Sequence, residues 1–213
     1  MLKIYRTIFA LLILSTGIFA QLKSDNSFNL EGGLFFMTGD NTENFETGYT
    51  AGFGYEHRFT NNFGLEILPT VSYVYLENEI GFFGVYADTY VLGVSLSPKF
   101  YIPVGSGGFK LILAPRCSYS YVNNQVEVWI MNYYTNEEKT IKNSYNNGVF
   151  SFGGVAGFEV EVSKHFAIGL NVFYDSLDLG EDLGKIDWAD DTTYENNIKT
   201  SRIGVLSTFK FCL

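Results

Sequence analysis

Beyond its first twenty residues the chain has no apolar run long enough to cross a bilayer as a helix, which needs about 20 consecutive apolar residues. Yet 46% of its 213 residues are apolar, so that content is spent in another way. Proline is scarce, with 4 in all, and the composition is not low-complexity, which argues against a disordered chain. The 2 cysteines, Cys117 and Cys212, lie too far apart for a metal or redox motif and read as inert residues on or near strands. Basic residues are few: 14 Lys and Arg stand against 23 Asp and Glu, for a net charge of -9. Binding to nucleic acid needs a basic surface, so no nucleic-acid partner is expected.

What the chain does have is aromatic residues, 17% of the total, with 20 Phe and 15 Tyr, together with 22 Gly. That combination favours strands over helices. Residues 1–20 read as a secretory signal peptide. Lys3 and Arg6 form a basic start, Ile8–Leu14 a short apolar stretch, and Ala20 the small residue after which cleavage is expected. Residues 21–213 then form one domain, more acidic still once Lys3 and Arg6 are lost.

From Phe28 onward the hydrophobic period is two. Eight strands are expected, at 27–38, 47–59, 63–76, 89–102, 109–122, 148–162, 166–175 and 198–213. In the third, Phe63, Leu65, Ile67, Pro69, Val71, Tyr73 and Tyr75 share one face, while Gly64, Glu66, Leu68, Thr70, Ser72, Val74 and Leu76 share the other. The large apolar face is too continuous to meet water. Turned to lipid, it requires a closed sheet in which every backbone group is paired. The fold class is therefore all-β, an eight-stranded antiparallel up-and-down transmembrane β-barrel. The connections alternate between long (39–46, 77–88, 123–147 and 176–197) and short (60–62, 103–108 and 163–165). Outer-membrane barrels alternate long extracellular loops with short periplasmic turns in this way. The expected location is the outer membrane, with periplasmic termini and extracellular long loops. Tyr49, Tyr73, Tyr75, Tyr90, Tyr119, Tyr121 and Tyr174 fall near the long-loop ends. Phe59, Phe63, Phe100, Phe109, Phe166, Phe209 and Phe211 fall near the short-turn ends. These are the expected aromatic girdles at the two interfaces.

The same parity sends Glu31, Glu56, Glu66, Glu159 and Glu161 inward with Arg58, Lys99, Lys110, Arg116, Arg202 and Lys210. Charges in a narrow lumen stay ionised only when paired. An eight-stranded barrel is just wide enough for its side chains to fill, so the expectation is a salt-bridge plug. Acids gather in the long connections, most of all between Asp175 and Glu195, and read as a solvated acidic surface. In the connection 123–147 the alternation of Val126, Val128 and Ile130, followed by Tyr133 and Tyr134, reads as an extension of strands five and six into a ribbon above the membrane.

No catalytic constellation is evident, and no metal or cofactor motif. His57 and His165 fall at the short-turn end, far from where a barrel enzyme works at the outer rim. No enzymatic activity and no cofactor are expected. The leading functional expectation is an envelope-structural or surface-adhesive role through acidic extracellular loops. Phe45, Phe82, Phe83, Trp129 and Tyr133 are candidate contacts for a surface ligand whose identity the sequence does not give. The alternative is a narrow channel or small-solute transporter.

The dyad pattern, the alternation of connections and the last strand resemble the small eight-stranded outer-membrane barrels of the OmpA/OmpX-like superfamily, over about residues 22–213. Arg202–Leu213 places Ile203, Val205, Phe209, Phe211 and Leu213 on one face, similar to the C-terminal signal of such proteins, although it ends in Leu and not Phe. The resemblance implies the barrel-insertion machinery as an assembly partner, outer-membrane lipid and lipopolysaccharide as surroundings, and roles in envelope integrity, adhesion, surface defence or slow solute passage.

Overall fold

The computed structural model describes residues 26–39, 42, 44–80, 83–105, 108–131, 138–179, 185–187, 193–195 and 200–213, with the backbone alone at 79, 80, 83, 185–187 and 193–195. The signal peptide expected at 1–20 lies outside these residues. Ten strands follow in order: β1 Asn26–Gly39, β2 Gly48–Thr60, β3 Phe63–Ile80, β4 Phe83–Pro103, β5 Phe109–Met131, β6 Glu138–Ser163, β7 Phe166–Asp175, β8 Lys185–Asp187, β9 Thr193–Glu195 and β10 Thr200–Cys212. Strands β1 to β7 and β10 form a closed antiparallel barrel in which each pairs with its sequence neighbours, while β8 and β9 pair as a separate two-stranded sheet. The ring closes where β1 meets β10, in unbroken register from Ser27 opposite Cys212 to Gly39 opposite Thr200.

Residue parity sets the two faces. On β5, Leu111, Leu113, Cys117, Tyr119 and Tyr121 are exposed outward, while Ile112, Ala114, Arg116, Ser118 and Ser120 are buried inward. The outward aromatics form two belts of ring pairs. At the short-turn end Phe63 meets Phe59 at 5.7 Å and Phe100 at 5.3 Å, and Phe166 meets Phe211 at 5.4 Å between centroids. At the other end Tyr73 meets Tyr90 at 5.1 Å and Tyr119 meets Phe150 at 4.8 Å. Both cysteines are free thiols; Cys117 is exposed on the outer face of β5 and Cys212 ends β10.

The structure departs from the sequence reading above the tyrosine belt. The loop expected at residues 77–88 is strand: β3 and β4 run on through it in continuous register to Ile80 opposite Phe83. Strands β5 and β6 also extend, to Met131 opposite Glu138, as the alternation of Val126, Val128 and Ile130 leads one to expect. In this protruding ribbon the chemistry of the faces inverts while the parity continues. Ala87, Val126 and Val128 now point inward and are buried, with Leu76, Val85, Ile130, Ile141 and Tyr145 packed against them. Gln125 is exposed on the outer face, and Glu127 there pairs with Lys142 at 2.6 Å. The inversion falls at the row Tyr73, Tyr90, Asn123 and Asn146, which are register partners. A face that is apolar outward below this row and polar outward above it has lipid on one side of the row and water on the other.

At the short-turn end the connections are tight. Gly105 and Gly108 adopt φ of 70° and 73°, and Val104 donates its N–H to the Phe109 carbonyl at 2.9 Å. Inside the wall, a Cβ at Gly33 would run into the Val205 carbonyl and lie 2.9 Å from the Leu206 Cα, so β1 can close against β10 there only without a side chain.

Two outcomes follow from closure. The folded protein should migrate differently on a denaturing gel before and after boiling, and a single unshifted band would contradict a closed barrel. Gly33→Val should abolish the heat-shifted band, because the obstacle is backbone on the closing strand.

Candidate functional site

The lumen is the only region where charged side chains of many strands converge among the described residues. Strand parity builds it: Glu31 on β1, Glu56 on β2 and Glu66 on β3 point inward, and Glu56 and Glu66 are register partners. Like charges side by side are destabilising unless cations are set against them. Those come from the strands that flank β1 to β3 in the ring, as Lys99 on β4 and Lys210 on β10, and from Arg116 on β5.

Glu56 is fully buried and sits at the centre. Its Oε2 accepts from Lys210 Nζ at 2.7 Å, and its Oε1 from Arg58 Nε at 3.0 Å and from the Tyr101 hydroxyl at 2.6 Å. Lys210 also donates to the Tyr101 oxygen at 2.9 Å and lies 3.3 Å from Glu159. Arg58 reaches across the barrel to Glu159 on β6 at 2.9 Å, with its guanidinium 4.1 Å over the Tyr101 ring. Lys99 donates to Glu66 at 2.6 Å and lies 3.7 Å from Glu56 and 4.0 Å from Glu31. Asn29 donates to Glu66 from β1. Higher up, Arg116 lies 3.6 Å from Glu31 and donates to Ser97 at 3.3 Å.

One level above, Arg202 pairs with Asp175 at 2.9 Å and donates across the lumen to Ser72 at 3.1 Å, beneath the rings of Phe35 and Phe173. An apolar layer then fills the barrel: Phe35, Met37, Val74, Val91, Val122, Val155, Phe173, Leu177, Leu179 and Leu206, with Phe45 and Val149 against them. Leu177 and Leu179 lie beyond the end of β7 and turn inward. Thr200 holds them there, accepting the Leu179 N–H at 2.7 Å and donating to the Leu177 carbonyl at 3.0 Å.

Of the charges assigned to the interior, the structure brings together Glu31, Glu56, Arg58, Glu66, Lys99, Arg116, Glu159, Arg202 and Lys210. Lys110 and Glu161 do not join them. They pair with each other at the short-turn rim, where the Glu161 side chain is 42% exposed, because both sit where the strands end. Asp175 opens the acidic run of the sequence, yet it is buried as the partner of Arg202. The parity of β7 carries that signal, since Asp175 follows Phe173 and Asn171 on the inward face. Tyr101 and Asn29 are further polar members of the network that sequence reading did not single out; the parity of Tyr101 with Lys99, and of Asn29 with Glu31, marks both as inward.

The candidate contact Phe45 is committed to packing over the lumen. Trp129 is half-buried on β5, the side chain of Phe83 is not described, and Phe82 and Tyr133 lie outside the described residues. His57 is engaged by Asn26 at 2.9 Å and stands edge-on to the Phe59 ring at 4.6 Å. Among the described residues no group of His, Cys, Asp and Glu has the arrangement of a metal site.

No protein-family model matches the chain, and no curated protein matches it in sequence. Solved structures do. The chain is similar to the outer membrane protein OprG from Pseudomonas aeruginosa, with 13% identity and a TM-score of 0.53 over 89% of this chain and 97% of that one. It is similar to a major outer membrane protein from Thermus thermophilus, with 13% identity and a TM-score of 0.52 over 87% and 99%. It is also similar to Ail, the attachment invasion locus protein of Yersinia pestis, in complex with the heparin analogue sucrose octasulfate, with 12% identity and a TM-score of 0.50 over 89% and 100%. At these identities the shared property is the fold: the small outer-membrane type of β-barrel.

The geometry ranks the ion pairs. Glu56→Ala leaves Lys210 and Arg58 short of a buried partner and should cost about 3–5 kcal/mol. Glu161→Ala, at the wet rim, should cost less than about 1 kcal/mol. Urea titration of the heat-shifted band measures both, and equal losses would contradict the assigned centre.

Proposed function

We propose that this chain is a non-enzymatic barrel of the outer membrane, with both termini periplasmic and the protruding β3–β6 ribbon extracellular, serving an envelope-structural or surface-contact role. The observation that carries this reading is the filled lumen. An ionic layer around Glu56 and an apolar layer around Leu177 and Leu179 lie in series along the axis. That arrangement braces the wall from within and weighs against the narrow-channel alternative, since a solute would have to break buried ion pairs and displace packed side chains.

The outer surface is where a barrel of this kind meets partners. The ribbon lifts Gln125, Glu127, Trp129 and Lys142 above the tyrosine belt. Running on from Asn123 to Met131, it rises about 20 Å along the barrel axis, to the height of lipid head groups and lipopolysaccharide sugars. Ail shares the fold and was solved with a polysulfated ligand. The net charge of -9 on the present chain disfavours a polyanion of that type and favours a neutral or cationic partner. The C-terminal strand, with Ile203, Val205, Phe209, Phe211 and Leu213 exposed on its outer face, is suited to capture by the barrel-insertion machinery.

Planar-bilayer recording separates the two readings: the protein should give no steady conductance, and stepwise ion currents would favour the channel. Removal of residues 125–144 should leave the heat-shifted band intact while weakening cell-surface binding or envelope robustness. If both are unchanged, the surface role loses its support.

A further inference from the structure

Between the ionic layer and the apolar cap the lumen contains a small cavity of about 10 Å³, lined by Glu31, Thr50, Thr70, Arg116, Arg202 and Leu206 among others. Three buried atoms of its lining residues have no hydrogen-bond partner among the protein atoms: Arg116 Nη2, Arg202 Nε and Glu31 Oε2. All three side chains are more than nine-tenths buried, at 7%, 7% and 4% exposure. Arg116 Nη2 and Glu31 Oε2 stand 3.6 Å apart, beyond direct hydrogen-bond reach. Orphaned buried groups of this kind are costly and call for a partner.

We propose that this cavity binds a single water molecule that acts as a structural bridge in the lumen. The volume is about what one water requires. The stoichiometry also fits: water accepts two hydrogen bonds, here from Arg116 Nη2 and Arg202 Nε, and donates one to Glu31 Oε2. Its second O–H is left for a threonine hydroxyl of the wall. A halide or other small anion fits worse. It would leave Glu31 Oε2 unpaired and set a second negative charge beside it. The interior charges already balance, with Glu31, Glu56, Glu66, Glu159 and Asp175 against Arg58, Lys99, Arg116, Arg202 and Lys210. The bridge has a structural consequence. Among the described residues no direct hydrogen bond or ion pair joins the Arg202–Asp175 pair to the Arg116–Glu31 pair. The water makes the ionic column continuous from the Glu56 centre to the underside of the apolar cap.

Crystals of the detergent-extracted protein, grown with bromide as the only halide and measured near the bromine absorption edge, test this. The expected map shows one peak of water height within hydrogen-bond reach of all three atoms, without anomalous signal. An anomalous peak would make the cavity an anion site and overturn the proposal. So would an empty cavity, or Arg116 Nη2 closed directly onto Glu31. In Leu206→Phe, where the ring enters the same space, the peak should vanish. Should that variant not fold, the wild-type map alone decides.

Discussion

In hydrocarbon no water is available to a backbone N–H or C=O, and every other feature of this protein follows from that constraint. A single sheet meets it only by closing on itself, as β1 does against β10. Closure with eight strands fixes a narrow bore, and the alternation of side chains then decides what fills it. Apolar side chains have the outer face as their favoured environment. The interior receives what remains, which is small residues and paired charges, with a packed apolar layer toward the tyrosine row. The interior ion pairs are thus a consequence of the inverted partition and also a brace, because Arg58 to Glu159 and Lys210 to Glu56 tie strands that are not neighbours in the ring.

Much of this was legible in the sequence, because a period of two reads directly as inside and outside. Leu65, Leu113 and Leu170 against Glu66, Arg116 and Asn171 specify parity, and parity places the charges. Legibility failed where the environment changes along a strand. Above the tyrosine row the outer solvent is water, so Val126 and Val128 turn inward without any slip in register. A rule that sends apolar side chains outward ends the strands at that row and mistakes residues 77–88 for a loop, whereas the alternation of Val126, Val128 and Ile130 marks the β5–β6 extension in the sequence. Asp175 was obscured by the acidic run that follows it, although its own strand fixes its direction. Lys110 and Glu161 show the converse. They have inward parity, but at the end of a strand parity leads to the rim and not to the interior.

The two fillings of the lumen have different origins. The ionic layer uses residues of the regular wall. The apolar cap adds to wall residues such as Phe35, Val91 and Leu206 the side chains of Leu177 and Leu179, which have left the wall at the end of β7 and are held by Thr200 at the start of β10. The cap thus depends on the chain that joins the last two barrel strands, and the same connection carries the densest run of acids in the sequence. The start of that segment, at Leu177 and Leu179, closes the bore from within.

The central claim is that lipid meets the outer face up to the row of Tyr73, Tyr90 and Asn123, and water meets it beyond. Spin labels report this directly. With Cys117 and Cys212 replaced by serine, single labels are placed on the outer face of β5 through Leu113→Cys and Gln125→Cys in the protein reconstituted in bilayers. Collision with oxygen, which concentrates in acyl chains, is compared with collision with a water-soluble nickel complex. The account predicts that oxygen dominates at position 113 and nickel at position 125. Equal ratios at the two positions, or the reverse order, would contradict it.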